Sequence, residues 1–366
     1  MIAVAPRPTL FAPGRFFVHP LFDYLLIGGG LSLLFGVAMA TIALDLTLNG
    51  WLATLIVVAN GAHFAASSVR LYSRPGVTRS LPLLTLAFPV IAVLALTAAI
   101  TLPEPLGLLL VTTYLVWSPY HYSAQAYGLA VMYGYRAGAS LDDQSKRAIR
   151  IACLVPFVWT LLQPAGGLGE LLRAWDVAAP APVDQARGAV SQALQSVILF
   201  SPVGLVLWLR VRRGVVLPLI SIVTIASNAV WWTVFNILDA FLWATVFHGL
   251  QYLAIVTIFH VKDRLRDPGN RHGGGWHGAT FYVGCVLLGY ALFDVWPYAY
   301  AWAGYDFKKS ALLITAAINI HHFVVDAYIW RLRRDPNYAN IVDGGLLAPP
   351  MPPSERAAGG AAVALE

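Results

Sequence analysis

Residues 81–101, "LPLLTLAFPVIAVLALTAAIT", carry no charged side chain at all. A run of that length is about what a helix needs to cross a hydrocarbon core of roughly 30 Å. Comparable segments fall at residues 20–42, 51–69, 106–133, 148–163, 192–209, 215–235, 239–260, 279–297 and 309–330. Lipid offers the backbone no hydrogen-bond partner, so repeated apolar runs of this length pair their own amides as helices. The expected fold class is therefore all-α, a polytopic transmembrane helix bundle of about ten helices. The fifth segment is short and Pro297 interrupts the ninth, which leaves the count at nine or ten. Composition agrees: 58% of the 366 residues are hydrophobic, 11% are charged, and the mean hydropathy is +0.67. Those values lie outside the range of a soluble domain.

The basic residues orient the bundle. Arg7 and Arg15, then Arg70, Arg74 and Arg79, then Arg136, Lys146, Arg147 and Arg150 fall on alternate loops. The series continues with Arg210, Arg212 and Arg213, with Lys262, Arg264, Arg266 and Arg271, and with Arg331, Arg333 and Arg334. The intervening loops carry little positive charge apart from Lys308 and Lys309. By the positive-inside rule both termini are expected in the cytoplasm, in a bacterial inner membrane. Charge spread through short loops in this way is an orientation signal and not a nucleic-acid footprint. The N-terminus has prolines and arginines where a signal peptide has its apolar core, so no cleavage is expected.

Residues 1–345 are read as the bundle and 346–366, rich in Pro, Ala and Gly, as a disordered tail. Residues 164–190 are too polar to span, and "GELLRAWDV" within them reads as a short interfacial helix on the outer face. The loop at 261–278 holds three consecutive glycines, basic residues, His272 and His277. It has no phosphate-binding loop after a strand, and it reads as a solvated segment near anionic membrane lipid. The HxxxxH spacing there is a poor match to a metal site. Cys153 and Cys285 lie inside apolar segments without a CxxC neighbour, which argues against a disulfide framework or thiolate site. The two halves show no internal repeat, unlike many secondary transporters.

Within this apolar frame stand five intramembrane histidines: His63, His121, His248, His321 and His322. They occupy the second, fourth, eighth and tenth segments, all of which run inward in the expected topology. His63, His121, His248 and His322 lie about 7, 12, 12 and 9 residues before the cytoplasmic end of their segments, a common slab about 10–18 Å deep. Each has polar company at helical spacing: Asn60 and Ser67 for His63, Ser118 and Gln125 for His121, Gln251 and Tyr252 for His248. In the tenth segment Thr315, Asn319, His322 and Asp326 form one stripe, whereas His321 points about 100° away. His322 is thus the better ligand of that pair, with His321 a supporting or packing group.

Ionisable side chains in a bilayer are costly and persist where they pair, bind or carry protons. One imidazole alone is as well explained by an interhelical hydrogen bond. Four at one depth favour a metal, since neutral imidazole is the commonest transition-metal ligand and a carboxylate or amide one turn away fixes its tautomer. Nitrogen ligands with one carboxylate and no thiolate suit iron, copper or zinc. Redox chemistry on a lipophilic small molecule gives the location a purpose, so iron, with copper as the alternative, in a membrane oxygenase or oxidoreductase is the expected function. Asp326, Gln125 and Tyr252 are the candidate catalytic side chains beside the metal candidates.

The contexts "HYSAQ", "HFVVD" and "HGLQY" resemble short motifs of the Brp/Blh-type membrane carotenoid dioxygenases. That resemblance implies an iron held by several intramembrane histidines, here His63, His121, His248 and His322, and oxidative cleavage of a lipophilic substrate. The HGxxD element of that family is not present in full. Three other classes stay open on the residues. A haem- or pigment-binding protein would also use intramembrane histidines and the abundant Trp and Tyr. A transporter would need a polar path, to which Asn228, Asn236 and Asp239 could contribute. The chain could also serve as a non-catalytic subunit or assembly factor of a membrane complex.

Overall fold

The structure is a computed structural model and describes residues 11–330 except 13, 42–53, 164–168, 170, 171, 173–179, 235 and 236. The principal helices are α1 (Gly30–Thr41), α2 (Ala62–Tyr72), α3 (Phe88–Thr101), α4 (Leu108–Arg136) and α5 (Asp143–Leu161). They are followed by α6 (Ala181–Arg213), α7 (Leu219–Val234), α8 (Ile237–Leu265), α9 (Gly274–Tyr290) and α10 (Phe307–Ile329). Among the described residues there is no strand, only an isolated bridge between Ala12 and Pro218. The all-α class is what the apolar runs dictate.

Local chemistry sets the boundaries. The Asp142 carboxylate accepts the Ser145 amide at 2.8 Å and starts α5, and Asp306 accepts the Lys309 amide at 2.8 Å and starts α10. Gly214, at φ +66°, ends α6 with the left-handed turn that glycine adopts without strain. The N-terminal segment is fastened to α4 by Asp23, which accepts the Phe17 and Val18 amides and the Tyr133 hydroxyl. From the other side Arg136 donates to the Arg15 and Phe16 carbonyls.

Among the described residues, five helices are long and apolar enough to cross a membrane: Leu83–Thr101, Ala181–Arg213, Ala240–Leu265, Gly274–Trp302 and Phe307–Ile329. The pair Pro20–Ile27 and Gly30–Met39, bent by 60°, makes a sixth if taken as one span. The molecule is a helical bundle of membrane-integral character. Among the described residues, other helices carry more polar groups than these spans. The helix α4 carries Ser118, His121, Ser123 and Gln125, and α5 opens on a charged turn. The apolar helices sort into two classes. The spans of α3, α6 and α9 are only 17–28% buried, with Val90, Leu94, Phe200, Val203 and Leu287 turned outward, whereas those of α8 and α10 are 72% and 56% buried. The first class presents hydrocarbon to hydrocarbon, and the second forms the centre.

Two expectations change. The helix α6 begins at Ala181 and not near 192, because the polar stretch from Asp184 is helical, with an acid in the first turn and an Asp184–Arg187 pair at 3.0 Å. Pro297 does not end the ninth span. The π-helical turn Ala291–Val295 precedes it, and Trp296–Trp302 continues the helix with Pro297 in its first turn, where a missing amide breaks no α-helical bond. The interfacial helix expected at "GELLRAWDV" lies largely outside the described residues. The tail from 346, Arg331, Arg333, Arg334, Asn236 and the side chain of Asp239 lie wholly outside them.

Candidate metal centre

The helices α2, α8, α4 and α10 pack as a closed ring, each against the next. One histidine from each points inward. His63 and His248 are fully buried, His322 is 1% exposed and His121 9% exposed. Ring centroids around the circle are 5.1 Å apart for His63 and His248, 4.8 Å for His248 and His121, 5.0 Å for His121 and His322, and 4.8 Å for His322 and His63. Each plane stands at 73–88° to its neighbour.

Hydrogen bonds fix which nitrogen His63 and His322 present. The His63 Nδ1–H donates to the Asn60 carbonyl at 2.8 Å, so its Nε2 carries a lone pair, and that atom has no partner. The carbonyl lies three residues before His63, within the π-helical turn Ile56–Gly61 that leads into α2. The Ser67 hydroxyl donates to the Phe64 carbonyl, leaving its oxygen to accept the His322 Nδ1–H at 3.0 Å. The His322 Nε2 lone pair therefore also faces inward, 3.2 Å from His121 Nε2 and 3.4 Å from Asp326 Oδ2. Neither nitrogen of His248 has a partner.

Burying a polar nitrogen with no partner costs about 1–3 kcal/mol, and here two neighbouring rings, His63 and His248, carry such atoms. A cation at the centre removes that cost. With metal–nitrogen bonds near 2.1 Å, two ligand atoms at ordinary angles lie about 3.0–3.4 Å apart and their ring centroids about 4.6–5.3 Å apart. The four centroid spacings fall in the second range, and the 3.2 Å between His121 Nε2 and His322 Nε2 falls in the first. Ligand atoms of His63, His248 and His322, and of His121, His322 and Asp326, form two groups sharing His322, each within 4.8 Å. The donor set, imidazole with one carboxylate, fits iron, copper or zinc.

Asp326 joins the cluster as a bridge between ligand and support. Its Oδ2 faces His322 and, at 3.7 Å, His121, while its Oδ1 accepts the Tyr252 hydroxyl at 2.7 Å. Tyr252 also packs its ring 5.3 Å from His322 and 5.7 Å from His63. Gln125 is elsewhere: its amide donates to the His248 carbonyl at 3.2 Å and approaches Gln251 at 3.5 Å, clamping α4 to α8 rather than facing the imidazoles. Its one-turn spacing from His121 put it on the right helix but said nothing of the direction its long side chain takes. His321 is outside the cluster, stacked on Phe88 at 5.2 Å and 13°. His277 is engaged by Asn270 at 2.7 Å, and its ring lies 6.1 Å from His272.

Two supports were not legible in the sequence. Ser67 was paired by spacing with His63 but serves His322 on another helix. Asn60 serves His63 through its carbonyl and not its side chain. No family model, curated protein or solved structure matches the chain.

Proposed function

We propose that this chain is an integral membrane metalloenzyme, a non-haem oxygenase or related oxidoreductase whose metal is held by His63, His121, His248 and His322 with Asp326 beside them. The observation that supports the reading is the gathering of imidazoles from four helices into one buried cluster, with ring nitrogens of His63 and His248 left unpartnered. Iron, with copper as the alternative, would supply redox chemistry with dioxygen toward an apolar substrate. The chain's own residues orient the imidazoles through Asn60 and Ser67, exclude water through burial, and hold a phenol proton of Tyr252 against Asp326. The Brp/Blh resemblance supports the reaction class. A haem fits less well, since a macrocycle needs a flat slot and imidazoles with centroids no more than 5.1 Å apart enclose only an ion's space. The same reading takes all ten apolar segments as spans, with both termini cytoplasmic in a bacterial inner membrane.

Metal analysis of the detergent-purified chain tests it. The wild type is expected to carry a transition metal, and alanine at any one of His63, His121, His248 or His322 to lose most of it, with effects that do not add. Alanine at His321 should leave metal in place. Full metal in all four single variants would reduce the cluster to interhelical packing.

A further inference from the structure

A second feature of the bundle lies one side chain away from the imidazoles. Between α2, α3, α10 and the end of the ninth span is a crevice of about 170 Å³. Its walls include Phe64, Ser68, Ala92, Val93, Trp296 and His321. It opens beside the outward face of α3, where Val90, Ile91, Val93 and Leu94 are 43–64% exposed on a helix read as membrane-spanning. Its mouth therefore faces hydrocarbon and not water.

Phe64 separates this crevice from the metal centre. The same ring that lines the crevice lies 3.8 Å from His63 and 5.0 Å from His322, centroid to centroid. Next to it in sequence, Ser67 holds His322 while Ser68 lines the crevice. One aromatic layer stands between the two spaces.

The walls are nearly all apolar, with Ser68 and His321 the polar exceptions and His321 the larger. Phe88 fixes its ring by stacking, and among the described residues its nitrogens have no hydrogen-bond partner. An imidazole left bare on an apolar, lipid-facing wall is costly unless something else bonds it. A space of this size takes about six methylenes of a chain by ordinary packing densities, which is an end and not a whole lipid.

We propose that this crevice binds the end of a lipophilic chain that bears a hydroxyl or carbonyl oxygen, with His321 as the hydrogen-bond partner of that oxygen and Phe64 as the partition from the metal centre. The substrate enters sideways from the bilayer between α3 and α10. Its polar end is read by His321, and its apolar part lies against Phe64. This deepens the metalloenzyme reading by naming where its substrate lies; it rests on that reading for the chemistry but not for the binding.

The test uses the full chain in detergent and a long-chain alcohol carrying a photoreactive diazirine near its hydroxyl end. Labelling should map to residues 88–93, 292–296 or 317–321. Filling the crevice with Ala92→Trp should lower labelling about tenfold or more while bound metal stays at the wild-type level. Val93→Trp, at a half-exposed position, repeats the test if Ala92→Trp fails to accumulate. His321→Leu should erase about a tenfold preference for the alcohol over the matching alkane as competitor, the size of one hydrogen bond. Labelling elsewhere, or unchanged labelling in the filled and His321→Leu variants, would overturn the proposal. Metal retained without crevice labelling sinks this inference alone, and crevice labelling in a wild type free of metal sinks the metal reading and leaves the crevice standing.

Discussion

At the residue scale, Asp326 joins two kinds of support. One oxygen faces the His322 and His121 nitrogens, and the other accepts the Tyr252 hydroxyl. Replacing it by asparagine keeps the shape but removes the charge that raises imidazole basicity, so metal affinity should fall about 10- to 100-fold with the fold retained. If Asp326 is itself a ligand, the same change should cost most of the metal, and a titration of metal into the variant tells the two apart. Tyr252→Phe removes one hydrogen bond to the carboxylate and leaves both oxygens near the imidazoles. A smaller loss, below tenfold, is expected, and a Tyr252→Phe loss equal to that of Asp326→Asn would mean that the phenol itself binds the metal. Spacing alone separates His322 from His321, because adjacent helical residues point about 100° apart. It could not find Ser67 as the partner of His322, since a contact between α2 and α10 has no spacing in sequence.

At the element scale, the centre depends on how closely α2 is pressed by its neighbours. Gly61, at the end of the π-helical turn before His63, meets Gly289 of α9 backbone to backbone: a Cβ on Gly289 would lie 2.5 Å from the Gly61 carbonyl carbon and 2.6 Å from its oxygen. On the other side, a Cβ on Gly249 would come 3.0 Å from His63 Nδ1, the atom that donates to Asn60. Small residues let helices approach where lipid supplies no hydrophobic drive. Gly289→Ala should therefore push α9 from α2, cost about 1–3 kcal/mol in stability as overpacking does, and lower bound metal by moving His63. Gly284→Ala, on the same helix with nothing within 4 Å of its Cβ, is the control and should change neither. Thermal unfolding in detergent with parallel metal analysis decides it, and equal behaviour of the two variants would show that the close approach does not matter to the site.

At the scale of the whole molecule, the proposed metal would make the ring of four helices behave as one unit. Metal binding to the native state alone adds about 2.7 kcal/mol when free metal exceeds its dissociation constant a hundredfold. Stripping the metal with a chelator should thus lower the unfolding midpoint of the wild type, and should do nothing to a His248→Ala variant. An equal chelator effect on both would place the stabilising ion elsewhere. Orientation belongs to this scale too: a reporter fused to the C-terminus should lie in the cytoplasm, because arginine-rich loops alternate along the chain. A reporter on the far side would invert the depth comparison that brought the histidines together.

The sequence alone determined that this chain is helical and membrane-integral, because apolar runs of that length have no other way to pair their amides. It also pointed to four histidine positions at one depth, since rise per residue converts counting into distance. Depth is one coordinate of three. That α2, α8, α4 and α10 are neighbours in a ring, that Gln125 turns to a backbone carbonyl, and that His321 looks out on an apolar crevice are matters of which helix faces which. Those facts rest on contacts such as Gly61 against Gly289 and Ser67 against His322, between residues far apart in the chain. Helical periodicity assigns each side chain a face of its own helix, and only packing decides what that face meets.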